Sequence, residues 1–268
     1  MNASRTSNIQ QSVPMSDKES GLTLIELLVA ILISSVILLG ITTLLASSAQ
    51  TRNRVSNIHL LQEEATLASQ ILPQQLAQIG YRGVDTSLLD SRRLPITSLG
   101  FAFPEVNGEW AAEQTFKADS TSFSFRYGGA SNVDGDPDGT IRTCIGDSVG
   151  VEDLAEVRIF LSNGALLCTD GVTTETLIGS ANNIMVEQMI IELGVDNTDD
   201  RRIDTFKLVD DATDTDLLNT SLVRIRLLLA TNDRAIKFNQ QYYFNGATIT
   251  ATDNRIRQEI VVAATTRN

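Results

Sequence analysis

Gly21-Leu22-Thr23-Leu24-Ile25-Glu26-Leu27-Leu28-Val29-Ala30 opens an apolar run that continues to Leu45. Between Leu22 and Leu45 the single charge is Glu26. At about 1.5 Å per residue the run makes a helix roughly 36 Å long. That spans a hydrocarbon core of about 30 Å with some tilt, so the run predicts one membrane helix. Its carboxylate has two readings. An acid inside a membrane is costly and commonly functional. An acid in the first helical turn is also favoured by the positive end of the helix dipole, at the lipid surface.

Beyond Leu45 polarity rises while the helical period persists. Val55, Ile58, Leu61, Ala65, Ala68, Leu72, Leu76 and Ile79 recur at steps of three and four. Gln62, Glu63, Glu64, Gln70, Gln74, Gln75 and Gln78 take the other face. The pattern predicts one helix from Leu22 to about Ile79, stopped by Gly80. Its first half is apolar all round, and its second half is amphipathic and suited to lie on a sheet. Pro73 conflicts with this, because proline removes a helical hydrogen bond and kinks the axis. A bend, or a break near Leu72, is expected; Gly40 is a weaker soft spot.

Residues 80–120, punctuated by Pro95, Gly100, Pro104 and Gly108, read as irregular, with Trp110 as a core or loop anchor. The period then becomes two. Ser122 to Tyr127 alternates aromatic and polar residues, and Val157 to Leu161 is a second strand. Asn163-Gly164 predicts a tight hairpin into Ala165 to Cys168. Ile184 to Leu193, Leu222 to Leu229, Tyr242 to Phe244 and Ile256 to Ala264 complete the strands. A long helix followed by mostly antiparallel strands is an α+β architecture.

The stretch around Glu26 resembles the type IV prepilin signature: Gly21, an apolar residue, a small polar one, two apolar ones, then Glu26 ahead of an apolar helix. Leu22 stands where phenylalanine is commoner. Further along, Gly80-Tyr81-Arg82-Gly83, Asp119 to Tyr127, Thr143-Cys144-Ile145-Gly146, Leu167-Cys168, the Asp-rich stretch after Val195, the strand with Val223 and Arg226, and the closing Arg257 to Asn268 resemble the PilW family of minor pilins. The resemblance implies cleavage after Gly21 by a prepilin peptidase, N-methylation of Leu22, and an assembly role for Glu26. It also implies a leader over 1–21, a transmembrane and assembly helix over 22–45, an amphipathic helical half over 46–80, and a globular α+β head over 81–268. A secretory signal is cut after its apolar stretch; this cut precedes it, so the helix would stay. The lysine and arginine balance around the helix does not orient it. The resemblance places the leader in the cytoplasm and the head outside.

The net charge of −12 argues against nonspecific nucleic-acid binding and against docking on anionic lipid. The two cysteines, Cys144 and Cys168, are expected to be bridged if the head is exported, the alternative being two buried thiols. Asp134, Asp136 and Asp138, with Gly139 sixth, have the opening spacing of an EF-hand. Arg142 and Ile145 occupy positions nine and twelve, so that reading fails. A polar turn is the expectation, another oxygen-ligand site the alternative. Asp196 to Asp216 holds eight aspartates and reads as a solvated loop more readily than a cation or partner site. With His59 the single histidine, neither a His-based metal cluster nor a Ser/His/Asp triad is expected. No phosphate-binding loop appears; no cofactor and no enzymatic activity are expected.

The resulting expectation is a minor pilin, anchored in the inner membrane before assembly and in the pilus, at its tip, afterwards. Its partners would be other minor pilins, the major pilin and the prepilin peptidase. Its work would be priming assembly in a tip complex, in support of twitching motility, adhesion or DNA uptake. The alternatives are a minor pseudopilin of type II secretion and a single-pass membrane-anchored receptor or enzyme.

Overall fold

Between Leu24 and Leu72 no proline interrupts the chain, and the computed structural model forms one α-helix there, α1 (Leu24–Leu76). The structure describes residues 23–82, 103–106, 108–132, 134–179, 183–198, 200, 202–232 and 240–266; Gly21 and Leu22 lie outside them. The chain divides into two compact units, Met1–Thr51 and Arg52–Asn268. In the first, every described residue is exposed, including Leu24, Leu32 and Leu44. The hydroxyls of Ser35, Thr42, Thr43 and Thr51 donate to the carbonyls of Leu32, Leu39, Gly40 and Ser47, three or four residues back.

Pro73 does not break α1, contrary to the expected break near Leu72. The proline removes one helical N–H donor, but only the final turn of the helix lies beyond it. Ala77 N–H still reaches Pro73 O, after which Gln78 and Ile79 donate three residues back. Gly80, at φ 70°, turns the chain aside and donates to Arg126 O across 3.0 Å.

In the second unit the strands are β1 (Phe116–Ala118), β2 (Ser122–Gly128), β3 (Leu154–Ser162), β4 (Ala165–Thr169), β5 (Thr174–Ile178), β6 (Ile184–Val195), β7 (Thr205–Leu208), β8 (Thr220–Thr231), β9 (Gln240–Phe244), β10 (Ala247–Ala251) and β11 (Arg257–Thr265). They form three antiparallel sheets, ordered β1-β2-β3-β4-β5, β11-β8-β6-β7 and β10-β9. Leu61, Ala65, Ala68, Leu72 and Leu76 of α1 share one core with inward residues of both larger sheets, among them Phe125, Ile159, Ile191 and Ile225. The helical stripe and the strand alternation meet there, so apolar side chains leave water on both elements at once. Glu64 of α1 accepts from Gly179 N–H at 3.0 Å.

Asn163-Gly164 and Asn245-Gly246 make two-residue turns with positive φ at each residue, 50° and 75° at the first and 48° and 80° at the second. Asparagine and glycine tolerate that region, and the turn twist matches that of the strands.

The polar Ser122 and Arg126 of β2 are buried, as are its aromatic residues Phe123, Phe125 and Tyr127. Pro104, Ala111 and Gln114 meet Arg126 on its face of the strand, which periodicity within β2 alone cannot reveal. The Asp196 to Asp216 stretch is not simply a solvated loop. It contains β7, a 3-10 turn (Val209–Asp211) and a short helix, α2 (Asp214–Leu218). Asp196 and Asp216 are buried.

Candidate functional site at the start of the apolar helix

Thr23 and Glu26 close on each other. Thr23 N–H and its hydroxyl both donate to Glu26 Oε2 at 3.0 Å, and Glu26 N–H lies 3.4 Å from Thr23 Oγ1. This is a reciprocal capping box: each residue satisfies a backbone N–H that the first turn leaves without an intrahelical acceptor. The role of Thr23 was legible in the spacing Thr-x-x-Glu and was missed. The geometry realises the helix-start reading of Glu26. It does not consume the group, since a carboxylate offers about four acceptor sites and all three of these bonds leave Oε1 untouched. Leu22 and Gly21, expected at the cleavage site, lie outside the described residues.

From Thr23 to Ser56 every residue of this segment is exposed. An apolar helix of this length exposed on all sides fits a bilayer or a bundle of other helices. The hydroxyls closed onto the helix backbone fit both surroundings, because in lipid an unsatisfied donor costs several kcal/mol. On one side Leu27, Ala30, Ile31, Ser34, Ser35 and Leu38 line a shallow groove. Ala30 and Ser34, four apart, are small enough to let a second backbone come close.

In the head, Cys144 and Cys168 form a disulfide with Cα atoms 6.3 Å apart. It ties the loop after Arg142 to β4, the fourth strand of its sheet. The Asp134 to Asp138 segment is held as a turn by Asn132 and by the Asp138 carboxylate. Asn132 Oδ1 accepts from the N–H groups of Asp134 and Asp136, and Asp138 Oδ1 from Thr140 N–H and hydroxyl. Those bonds hold the Asp138 carboxyl below its usual range. Arg142 donates to Gly139 O and Gly146 O and so closes the turn that follows this segment. Among the described residues no three His, Cys, Asp or Glu side chains converge as metal ligands. His59 is exposed on α1.

The polar feature that sequence reasoning missed is Arg126, a guanidinium 1% exposed. It donates to the carbonyls of Gln114, Pro104 and Ala111. It also lies between two rings, 4.5 Å from the Trp110 centroid and 5.6 Å from that of Phe103. Lys117 caps the far face of this stack at 4.0 Å from Trp110, and Arg82 lies 5.1 Å from Phe103 and pairs with Glu113. Burial lowers the Lys117 and Arg126 pKa values, against the pull of Glu156. Trp110, expected as an anchor, is one: it is 1% exposed.

Known proteins match at both ends of the chain. The family described as Type IV Pilus-assembly protein W matches residues 161–268, and the prokaryotic N-terminal methylation motif matches residues 16–42. Among solved structures, a type IV-like pilin from Thermus thermophilus is similar over 77% of this chain and 96% of its own, at 15% identity and a TM-score of 0.46. No curated protein matches.

Proposed function

We infer that the chain works as a minor pilin, from the premise that the two family matches support: a type IV pilin-like protein of the PilW family. In this reading prepilin peptidase cuts after Gly21 and Leu22 becomes an N-methylated terminus. The apolar half of α1 holds the chain in the inner membrane with the head in the periplasm, and later packs among the helices of the fibre. With other minor pilins, in a complex at the tip, the chain primes assembly, and so supports twitching, adhesion or DNA uptake. It does so as a structural subunit and not as a catalyst. The pilus-assembly description of the matched family favours this over a secretion pseudopilin.

The observation that carries the reading is the exposed apolar helix behind a capped Glu26. A carboxylate in an apolar bundle is strongly unfavourable without a partner, and so is the cationic terminus left by cleavage. Each is relieved when Glu26 of one subunit meets the terminal amine of its neighbour. The capping box aims one oxygen at the helix and leaves the other for that amine, so the pair selects one axial register over others. Glu26→Gln keeps the cap acceptor and removes the charge. The head should still fold, cleavage should persist, and co-purification with other pilins from inner-membrane extracts should fall. Undiminished co-purification would reduce Glu26 to a capping residue. Mass spectrometry of the extracted protein checks the rest; an N-terminus other than Leu22 would overturn the pilin reading.

A further inference from the structure

The β9–β10 hairpin, residues 240–251, contains no charge in a chain of net charge −12. It is held to the head on its β9 side. Arg257 N–H donates to Gln240 Oε1 and Asn245 N–H to Glu259 Oε1, each at 3.2 Å, and the Arg257 guanidinium lies 5.2 Å from the Tyr242 centroid. β10 is the outer strand: among the described residues it pairs with β9 alone, and Ala247 to Thr250 are exposed. Such an edge lacks the lysine, proline or bulge that ordinarily blocks pairing with another chain.

Two further facts define what fits it. The register pairs Phe244 with Ala247, Tyr243 with Thr248, Tyr242 with Ile249 and Gln241 with Thr250. A two-residue turn is closed by a hydrogen-bonded pair, here Phe244 and Ala247, and bonding alternates along the ladder. Ala247, Ile249 and Ala251 therefore direct their backbone groups to β9, and Thr248 and Thr250 direct theirs to the open edge. In addition, Ala247-Thr248-Ile249-Thr250-Ala251 reads the same in both directions.

We propose that β10 pairs antiparallel with β10 of a second copy of this chain, about a two-fold axis at Ile249. The Thr248 groups of one copy bond those of Thr250 in the other, and the reverse, giving four backbone hydrogen bonds. Ile249 faces its own counterpart as a non-hydrogen-bonded pair, with Cα atoms about 4.5 Å apart. Threonine meets threonine and isoleucine meets isoleucine, pairings favourable in sheets, and no like charges oppose each other. This is the self-complementary patch that a two-fold contact requires. On a head this acidic, an uncharged strand is where two copies approach with least repulsion. One five-residue strand per copy falls well short of the roughly 1,000 Å² of a stable free dimer. The contact therefore needs the local concentration that a membrane tether supplies; its geometry rests on the strand alone.

Cysteine cross-linking of the full chain in membranes tests the register, since the native cysteines are both in the disulfide. Under mild oxidation Ile249→Cys should give a covalent homodimer. Thr248→Cys alone should not, because like positions lie diagonally, about 7–8 Å apart and beyond disulfide reach. Co-expressed Thr248→Cys and Thr250→Cys chains should cross-link to each other, and Ile249→Lys in both should abolish that product. The Cys144–Cys168 bond, read on the same gels after digestion, reports that each variant has folded. A folded Ile249→Cys chain that stays monomeric overturns the proposal. Capture of a different protein, or equal cross-linking at all positions, overturns it as well.

Discussion

Arg126 carries more of the head than its place in an alternating strand suggests. Its donors satisfy three carbonyls of the 103–115 segment, and its plane fills the gap between Phe103 and Trp110. Arg126→Leu keeps bulk but strands those carbonyls, so urea unfolding should register a loss of about 3 kcal/mol. Arg126→Lys should recover only part of this, because a point cation cannot hold several carbonyls in one plane. Two aspartates set the response to acid. Lys207 and Thr213 hold the Asp216 pKa at about 2, and Arg257 does the same for Asp253, also about 2. Both lie below the unfolded value of about 3.9. The unfolded chain thus binds protons first as pH falls, so the stability these groups contribute is complete above about pH 4 and is lost between about pH 4 and pH 2. Thermal melts should show that fall, and Asp216→Asn should flatten it while lowering stability at neutral pH. A fall of unchanged steepness in the Asn variant would assign the acid response elsewhere.

At the scale of elements, the parts written in periods were legible and the parts set by neighbours were not. α1, β2, β3, β4, β6, β8, β9 and β11 each follow a stripe or an alternation, and Asn163-Gly164 marked its hairpin. β1, β5, β7 and β10 were missed because a strand of three to five residues at the margin of its sheet has one neighbour and little apolar pattern. Asn245-Gly246 was a turn signal for β10 that went unused. α2 was hidden because its five residues start at the capping box of Thr213 and Asp216, inside a run that charge alone marks as solvated. At the candidate site the sequence placed Glu26 at the helix start, while the Thr-x-x-Glu spacing that signals its bonds to Thr23 went unused. Pro73 gives the element-scale prediction. Because it lies in the last turn, Pro73→Ala should change stability by under about 1 kcal/mol. Leu72→Ala, one residue earlier and fully buried, should cost about 3 kcal/mol. A clear gain of stability in Pro73→Ala on chemical unfolding would mean that Pro73 strains the helix after all.

For the molecule as a whole, the second unit contains the shared core and the disulfide, so a fragment starting at Arg52 should fold by itself and be soluble. Its circular dichroism should be mixed, with strand prominent. Millimolar calcium should leave its melting temperature unchanged, since among the described residues no three acidic side chains converge as ligands; a rise reversed by chelator would contradict that. Cys144→Ser with Cys168→Ser opens a loop of 24 residues' separation and should cost about 3 kcal/mol through loop entropy. The Arg52 fragment cannot report on the first unit, where the hydroxyls of Ser35, Thr42, Thr43 and Thr51 are closed on its own carbonyls. A helix wired this way can exchange one solvent for another, acyl chains for neighbouring helices, without breaking or making a single one of those bonds. Apart from the charge of Glu26, what remains to decide the direction of transfer is dispersion and shape. Both are small per contact, and neither imposes a chemical barrier, so for the apolar part of the segment passage out of the lipid and back into it can be close to reversible.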